Sequence, residues 1–410
     1  MLWGEGTMRK WWTAAAMAAM WLGQTAVSSA QGEGSGAGMP EPLPISGGPG
    51  AQNPMIAPPG YGEMPGMPGL APGGPVEDSG HCNMYFSSGA LSLRRQRLGN
   101  AVSPFAGLST GQPLAVIDAA SGAIDTGNGP VLGQTMTLLQ TRDISPNYIW
   151  GPVATIGFQA GNNSLEFTGY WLPDQESKTN NVNPGLIDVP FFNPPIGFEG
   201  DNGLWRQADQ VITSFRSQIG NAEINVRHWS QSCPGFQWIC GIRYFDLEER
   251  LAIFTDDDGI LIRDANGFPD PTRQATYSTR AHSHIIMPQA GFEYDLPILR
   301  WFTLGGSAKS AAGINFYDVN RTLKRGDGFL GFDESRHGST FSALFEFGAF
   351  GDIAIYEWLH FRAGYTAMFL VHVPTASNQL DFNLNNTTPT LNSSGSIFYH
   401  GPSFQVSLSF

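Results

Sequence analysis

The chain has 410 residues, 41% of them hydrophobic, so it can bury at least one large core. Charged residues make up only 14%, against roughly 25% in ordinary globular domains, while Gly reaches 51 residues and aromatics 12%. A net charge of -13 with only Lys10, Lys178, Lys309 and Lys324 as lysines leaves no basic stripe for phosphates and argues against a nucleic-acid partner.

Arg9 and Lys10 precede an apolar run from Trp11 to Leu22, and Ser28 and Ala30 stand where a signal peptidase requires small residues. A cleaved signal peptide over 1–30 is expected, with Met8 as a candidate start. The run of about 12 apolar residues is too short for a helical span, which needs roughly 20. No later segment reaches that length, so any membrane span must be made of strands. Residues 31–80, rich in Gly, Pro and Met with almost no charge, cannot offset the entropy of ordering and read as a disordered linker.

From Cys82 onward short alternating runs dominate. In "NSLEFTGYW" Leu165, Phe167 and Trp171 oppose Ser164, Glu166 and Thr168; in "NAEINVRHW" Ala222, Ile224 and Val226 oppose Glu223, Asn225 and Arg227. "GFQWICGIRYF", "TFSALFEFGAF" and "WLHFRAGYTAMFLV" repeat the pattern. Turns are expected at 159–163, 218–221 and 289–292, an exposed tip at 256–259, and long excursions around 172–208 and 372–395. Cys233 and Cys240 lie close enough in sequence to cross-link a bent loop, although a buried structural role is expected for each cysteine, and whether the two are bonded is left open.

The pattern predicts an all-β fold: an antiparallel transmembrane β-barrel over 81–410, with about 12 strands (about 10 to 14) of roughly 9 to 13 residues each. Soluble sandwiches favour strands of about 5 to 6 residues. Trp171, Trp229, Tyr244, Trp301, Tyr356 and Trp358 lie near run ends, as an aromatic girdle would. Glu166, Glu223, Arg227, Arg243, Glu293, Lys309, Arg321, Glu346 and Arg362 then point into the lumen, with bases slightly ahead of acids. They either pair across a narrow barrel and seal it, or line a wet pore. At the C-terminus Phe404, Val406, Leu408 and Phe410 alternate with polar residues and read as an outer-membrane assembly signal.

Motif searches yield little chemistry. "GDGFLG" at 326–331 has the letters of a dinucleotide fingerprint without its strand–helix context, and "RGD" at 325–327 is a short match in a Gly-rich loop. His282 and His284 share one strand face as metal ligands would, but the sequence supplies no adjacent third ligand. No catalytic, cofactor-binding or metal residue is assigned. His360 and His400 leave a barrel enzyme open.

The order of signal peptide, Gly/Pro tether, "YFSSGALSLRR", "GFQAGNNSLEFTGYWLPDQ", "EINVRHW", "ICGIRYFDLEERL" and a closing "IFYHGPSFQVSLSF" resembles the planctomycete-type β-barrel porin family, seventh in its naming series. The resemblance covers most of 82–410 and implies an outer-membrane barrel; it transfers no ligand or catalytic residue. The expected function is a porin-like channel or structural envelope component with a narrow charged lumen. Its expected partners are the lipid bilayer and the insertion machinery, with no cofactor and no assigned oligomeric state. The alternatives are an outer-membrane enzyme or adhesin on the same scaffold, or a secreted soluble β-sandwich.

Overall fold

A computed structural model describes residues 83–96, 98, 143–199, 204–205, 208–256, 270–385 and 392–410, with short strands at 104–108, 116–117, 124–125 and 137–140. The chain separates into two units, Met1–Met64 and Pro65–Phe410, and the described residues all lie in the second. The expected signal peptide and linker fall outside the described residues, as does Cys82.

Period-two alternation becomes strands throughout. These are β1 (Asn83–Arg95), β2 (Pro104–Leu108), β3 (Val116–Ile117), β4 (Ile124–Asp125), β5 (Thr137–Gln140), β6 (Tyr148–Ala160), β7 (Asn163–Asp188) and β8 (Ala208–Trp229). They continue with β9 (Phe236–Asp256), β10 (Gln274–Leu299), β11 (Phe302–Arg325), β12 (Leu330–Tyr356), β13 (Leu359–Val373) and β14 (Gly395–Ser409). The sheet runs β7-β6-β1-β14-β13-β12-β11-β10-β9-β8, and β7 pairs again with β8, so ten antiparallel strands close a ring. β2 and β5 extend the sheet from the upper end of β7 and complete the 12-stranded count without entering the ring. The first and last strands of the ring meet in the ladder, where the Phe410 N–H donates to the Met84 carbonyl at 2.9 Å.

Both chain ends of the ring and the short turns at 161–162, 230–235, 300–301 and 357–358 lie at one rim, the hairpin end. Gly161 takes φ +55° in the first of these turns, a conformation that costs a glycine little. The other connections, among them the four-residue turn at 326–329 and the longer 189–207 and 374–394, lie at the opposite, loop end. Two expected turns are corrected: 218–221 lies within β8 and 289–292 within β10, because Gly and Ala there are inward or outward strand positions with in-register partners on both sides. The excursion expected at 172–208 is strand as far as Asp188; register shifts between Leu172 and Gln175, around Pro173, and between Val182 and Ile187 interrupt its pairing with β8.

Outward positions carry an apolar band. One register row across four strands, Tyr244, Ile286, Ile314 and Phe341, is its last wholly apolar row toward the loop end. The next row is Asp246, His284, Phe316 and Ser339; the one after is Glu248, His282, Asp318 and His337. Charge on the outer face thus begins where the strands leave hydrocarbon. Of the expected girdle residues, Trp171, Trp301, Tyr356 and Trp358 are exposed at the band edges, whereas Trp229 turns inward and is buried. Cys233 sits in the 230–235 turn and Cys240 faces outward on β9; both are free and exposed, since strand register from Trp229–Gln237 onward keeps Cys240 extended away from the turn.

Inside, the alternation changes phase at the same level. On β9 the inward positions Gln237, Gly241 and Arg243, with Ile239 among them, give way to Phe245, Leu247, Leu251 and Ile253, interrupted by Glu249, which is paired with Arg95. A buried apolar cluster including Leu93, Ile149, Leu172, Ile219, Phe245, Met287, Ala311, Leu344, Leu370 and Tyr399 takes a residue from each of the ten ring strands and fills the lumen. A second cluster beyond it joins strand residues such as Phe215, Leu251 and Tyr277 to Phe191, Phe198, Trp205 and Leu384 from the loops. Those loops are bound to each other by the hydrogen bonds Phe192 N–H to Phe382 O and Leu384 N–H to Phe192 O, each 2.9 Å.

The band makes a prediction. Phe347, outward on β12 and 57% exposed, lies well within it. Phe347→Arg is expected to lower unfolding free energy in lipid vesicles by about 2 to 4 kcal/mol. Ser335→Arg, on the same outward face beyond the rim, should stay within about 0.5 kcal/mol. Urea titrations of vesicle-folded protein read both, and equal losses would misplace the band.

Candidate functional site

The hairpin half of the lumen holds the chemistry. The inward face of each strand there is polar, and a ring of ten strands is narrow enough for facing side chains to meet. Arg243, fully buried on β9, reaches Glu223 Oε1 on β8 at 2.5 Å through Nη2 and Glu346 Oε2 on β12 at 2.8 Å through Nη1. Lys309 Nζ on β11 completes the square at 3.1 Å from Glu223 Oε2 and 3.3 Å from Glu346 Oε1. Gln289 and Asn225 donate to the remaining capacity of Glu223 at 2.9 and 3.0 Å.

A second network spans the other side. Arg227 Nε lies 2.5 Å from Glu166 Oε2, and its Nη1 lies 2.9 Å from Glu293 Oε2. Arg362 bonds Glu293 Oε1 at 3.1 Å and Asp352 Oδ2 at 3.2 Å, and its guanidinium lies 4.0 Å from the Phe350 ring centroid. His360 closes the chain on Asp352 at 3.0 Å, so its partner is a carboxylate and not a serine. His400 lies on β14 with its Nδ1 against the Tyr365 hydroxyl at 2.5 Å.

Eight of the nine charges singled out in the sequence therefore join these two networks. Arg321 does not: it sits higher, between Glu334 at 2.6 Å and Asp381 at 3.5 Å, where it fastens the loop carrying Asp381 to β11 and β12. Sequence reasoning missed Asp352 and Asp295, whose carboxylates turn the slight basic surplus into an acidic one. It also missed Arg95 and Glu249, a buried pair at 2.6 Å near the apolar layers; Glu249 additionally accepts the Ala376 N–H at 3.3 Å. Strand parity was the available signal, because Glu249 and Arg95 occupy the same inward parity as Arg243 and Tyr85 along their own strands. A cavity of about 180 Å³ remains, lined by Tyr85, Glu166, Arg227, Glu293, Lys309 and Gln405 among others.

A second constellation lies outside the barrel, beyond the apolar band. His282 Nε2 and His284 Nδ1 each lie 2.9 Å from the same oxygen, Asp246 Oδ1. Burial works against ionisation of Asp246, but hydrogen bonds from both imidazoles prevail and hold its carboxyl at about 2. The bond to Asp246 in turn raises His284. Glu248 is clamped by Arg280 at 2.8 and 3.0 Å and by Arg250 at 2.7 Å, and Asp318 is paired with His337. A groove of about 710 Å³ runs beside them, lined by His282, Arg280, Arg250, Asp318, His337 and Arg216 among others. The expected closing residues Phe404, Val406 and Phe410 are exposed on the outer face, with Leu408 half-buried beside them.

No protein-family model matches the chain, and no curated protein matches it. Among solved structures the chain is similar to the outer membrane protease OmpT of Escherichia coli, at 10% identity over 80% of this chain and 97% of that one, with a TM-score of 0.39. It is also similar to the toluene transporter TodX of Pseudomonas putida, at 9% identity over 81% and 90% of the two chains with a TM-score of 0.28. A FadL homologue of Pseudomonas aeruginosa follows at 9% identity, 80% and 90% coverage and a TM-score of 0.22. Likeness of this extent transfers no activity, and the transmembrane barrel rests on the closed ring and the outward apolar band described above.

The square of charges gives a prediction. Arg243→Leu strands Glu223 and Glu346 against a single Lys309 and is expected to cost about 3 to 5 kcal/mol. Adding Glu223→Leu should recover part of that loss, because the pair leaves together. Chemical unfolding of both variants decides; additive losses would show that the pair is uncoupled.

Proposed function

We propose that the protein is an outer-membrane β-barrel whose lumen is sealed, acting as a structural component of the cell envelope and not as an open pore. One observation carries this reading: every strand of the ring contributes to one buried apolar layer across the lumen. Ions and hydrophilic solutes meet that layer after the charged half, and the charges there are already committed to one another. Of the two outcomes open in the sequence, pairing across a narrow barrel is therefore the better supported. The porin part of the family resemblance is the part that the filled lumen speaks against; an envelope barrel of the planctomycete type remains the proposal.

Export by the N-terminal signal, a tether over 31–80 and a hairpin end facing the periplasm complete the reading. The closing strand would serve the insertion machinery. Phe410 forms the last backbone link between β14 and β1, and its side chain is 69% exposed on the outer face.

Planar-bilayer recordings test the seal. The wild-type protein is expected to give no stepwise conductance, while the triple variant Phe245→Ala, Leu247→Ala, Met287→Ala, which empties part of the layer, should give discrete steps. Stepwise conductance of the wild type would overturn the sealed-lumen reading. Deleting Phe410 should impair membrane assembly while leaving export intact, read as loss of the heat-modifiable species in the membrane fraction; normal insertion of the truncated chain would refute the assembly role.

A further inference from the structure

We propose that Asp246, His282 and His284 form a binding site for a divalent transition-metal ion of the zinc class, on the outer face of the barrel at the rim of the apolar band. The ligand atoms lie within 4.8 Å of one another. Strand geometry produces this: Asp246 and His284 are directly opposed partners in the β9–β10 ladder, and His282, two residues along, projects from the same face. No loop has to close to bring the three together, since two paired strands hold them.

The chemistry of the set selects the ion. Two imidazoles and one carboxylate match three-ligand zinc sites, and imidazole favours zinc, copper and nickel over calcium and magnesium. Tetrahedral coordination at about 2.0 to 2.1 Å from each nitrogen places ligand atoms roughly 3.3 Å apart. Both imidazole nitrogens already stand 2.9 Å from Asp246 Oδ1, so a small outward movement of the side chains admits the ion. The side chains are partly buried, His282 at 21%, His284 at 39% and Asp246 at 24% exposure, which lowers the cost of stripping water from the ion while leaving a way in. The surroundings carry both signs: Glu248 and Asp318 favour a cation, and Arg250 and Arg280 are tied to Glu248. A fourth ligand must come from outside the three side chains, as in zinc sites that keep an open position.

The simpler alternative is that the three groups only hydrogen-bond one another and Tyr244, whose hydroxyl lies 2.8 Å from His284 Nδ1, and metal titration separates the two. Full-length protein folded in detergent, stripped with chelator, is titrated with zinc chloride by calorimetry and with cobalt chloride by visible absorption. Expected are one saturable equivalent of zinc, ligand-field bands of bound cobalt, and no comparable binding of calcium. His282→Gln and His284→Gln should each weaken zinc binding at least about tenfold, with heat-modifiable mobility showing the barrel intact. Glu248→Gln, outside the ligand set, should retain binding. Absence of saturable binding by the wild type, or binding unchanged when both histidines are replaced, would overturn the proposal.

Discussion

In hydrocarbon a peptide group has no water to bond, so every N–H and C=O of a spanning strand must be paired by a neighbour. Here that requirement is met by closing β7 onto β8 and by stitching the last residue to the start of β1. Closure with ten strands fixes the bore, and the bore fixes the interior. Arg243 on β9 can reach Glu346 on β12 because the wall curves back within a side chain's length. Buried ions so placed would be ruinous alone; arranged as a closed square, each desolvated charge has at least two opposite neighbours, and the polar side chains of Gln289 and Asn225 complete the solvation.

The same wall must satisfy two different solvents in succession. Where lipid surrounds it, the outward positions are apolar and the inward ones carry the polarity. A few residues further along the same strand the surroundings turn aqueous and the roles exchange, so that β9 passes from Trp238 out and Arg243 in to Glu248 out and Leu251 in. On the sealed-lumen reading proposed above, the apolar layers across the lumen are therefore not an inserted plug. They are the core of the part of the barrel that stands in water, extending down to the lipid level.

Much of this was legible. Alternation located the strands, and parity placed Glu223, Arg227, Arg243, Glu346 and Arg362 on one face without any structure. What escaped was the change of phase. Around Ile242 to Phe245 neighbouring positions on both faces include apolar residues, Ile242 and Tyr244 outside and Phe245 inside, and a two-residue rule cannot say which is lipid and which is core. The turns expected at 218–221 and 289–292 failed for a related reason: Gly220 and Gly291 were read as chain reversals, whereas they are positions in long strands, where Gly291 lets β11 approach closely enough that an added Cβ would meet the Ala308 carbonyl oxygen at 2.4 Å. Asp246 was invisible as a companion of His282 and His284 because the link between them is strand pairing across a connection, a relation that spacing along the chain does not encode.

The strands of the ring are unequal. β7 to β12 have 21 to 27 residues, whereas β1, β6, β13 and β14 have 13 to 15. With the hairpin end level, the difference is spent at the other end, where one side of the wall rises well above the lipid and the other stops near it. Such a barrel has a front and a back in the plane of the membrane. Neighbouring proteins can pack flush against its low side, while along its high side they must also meet a charged parapet, so the molecule carries a compass direction that a barrel of even height lacks.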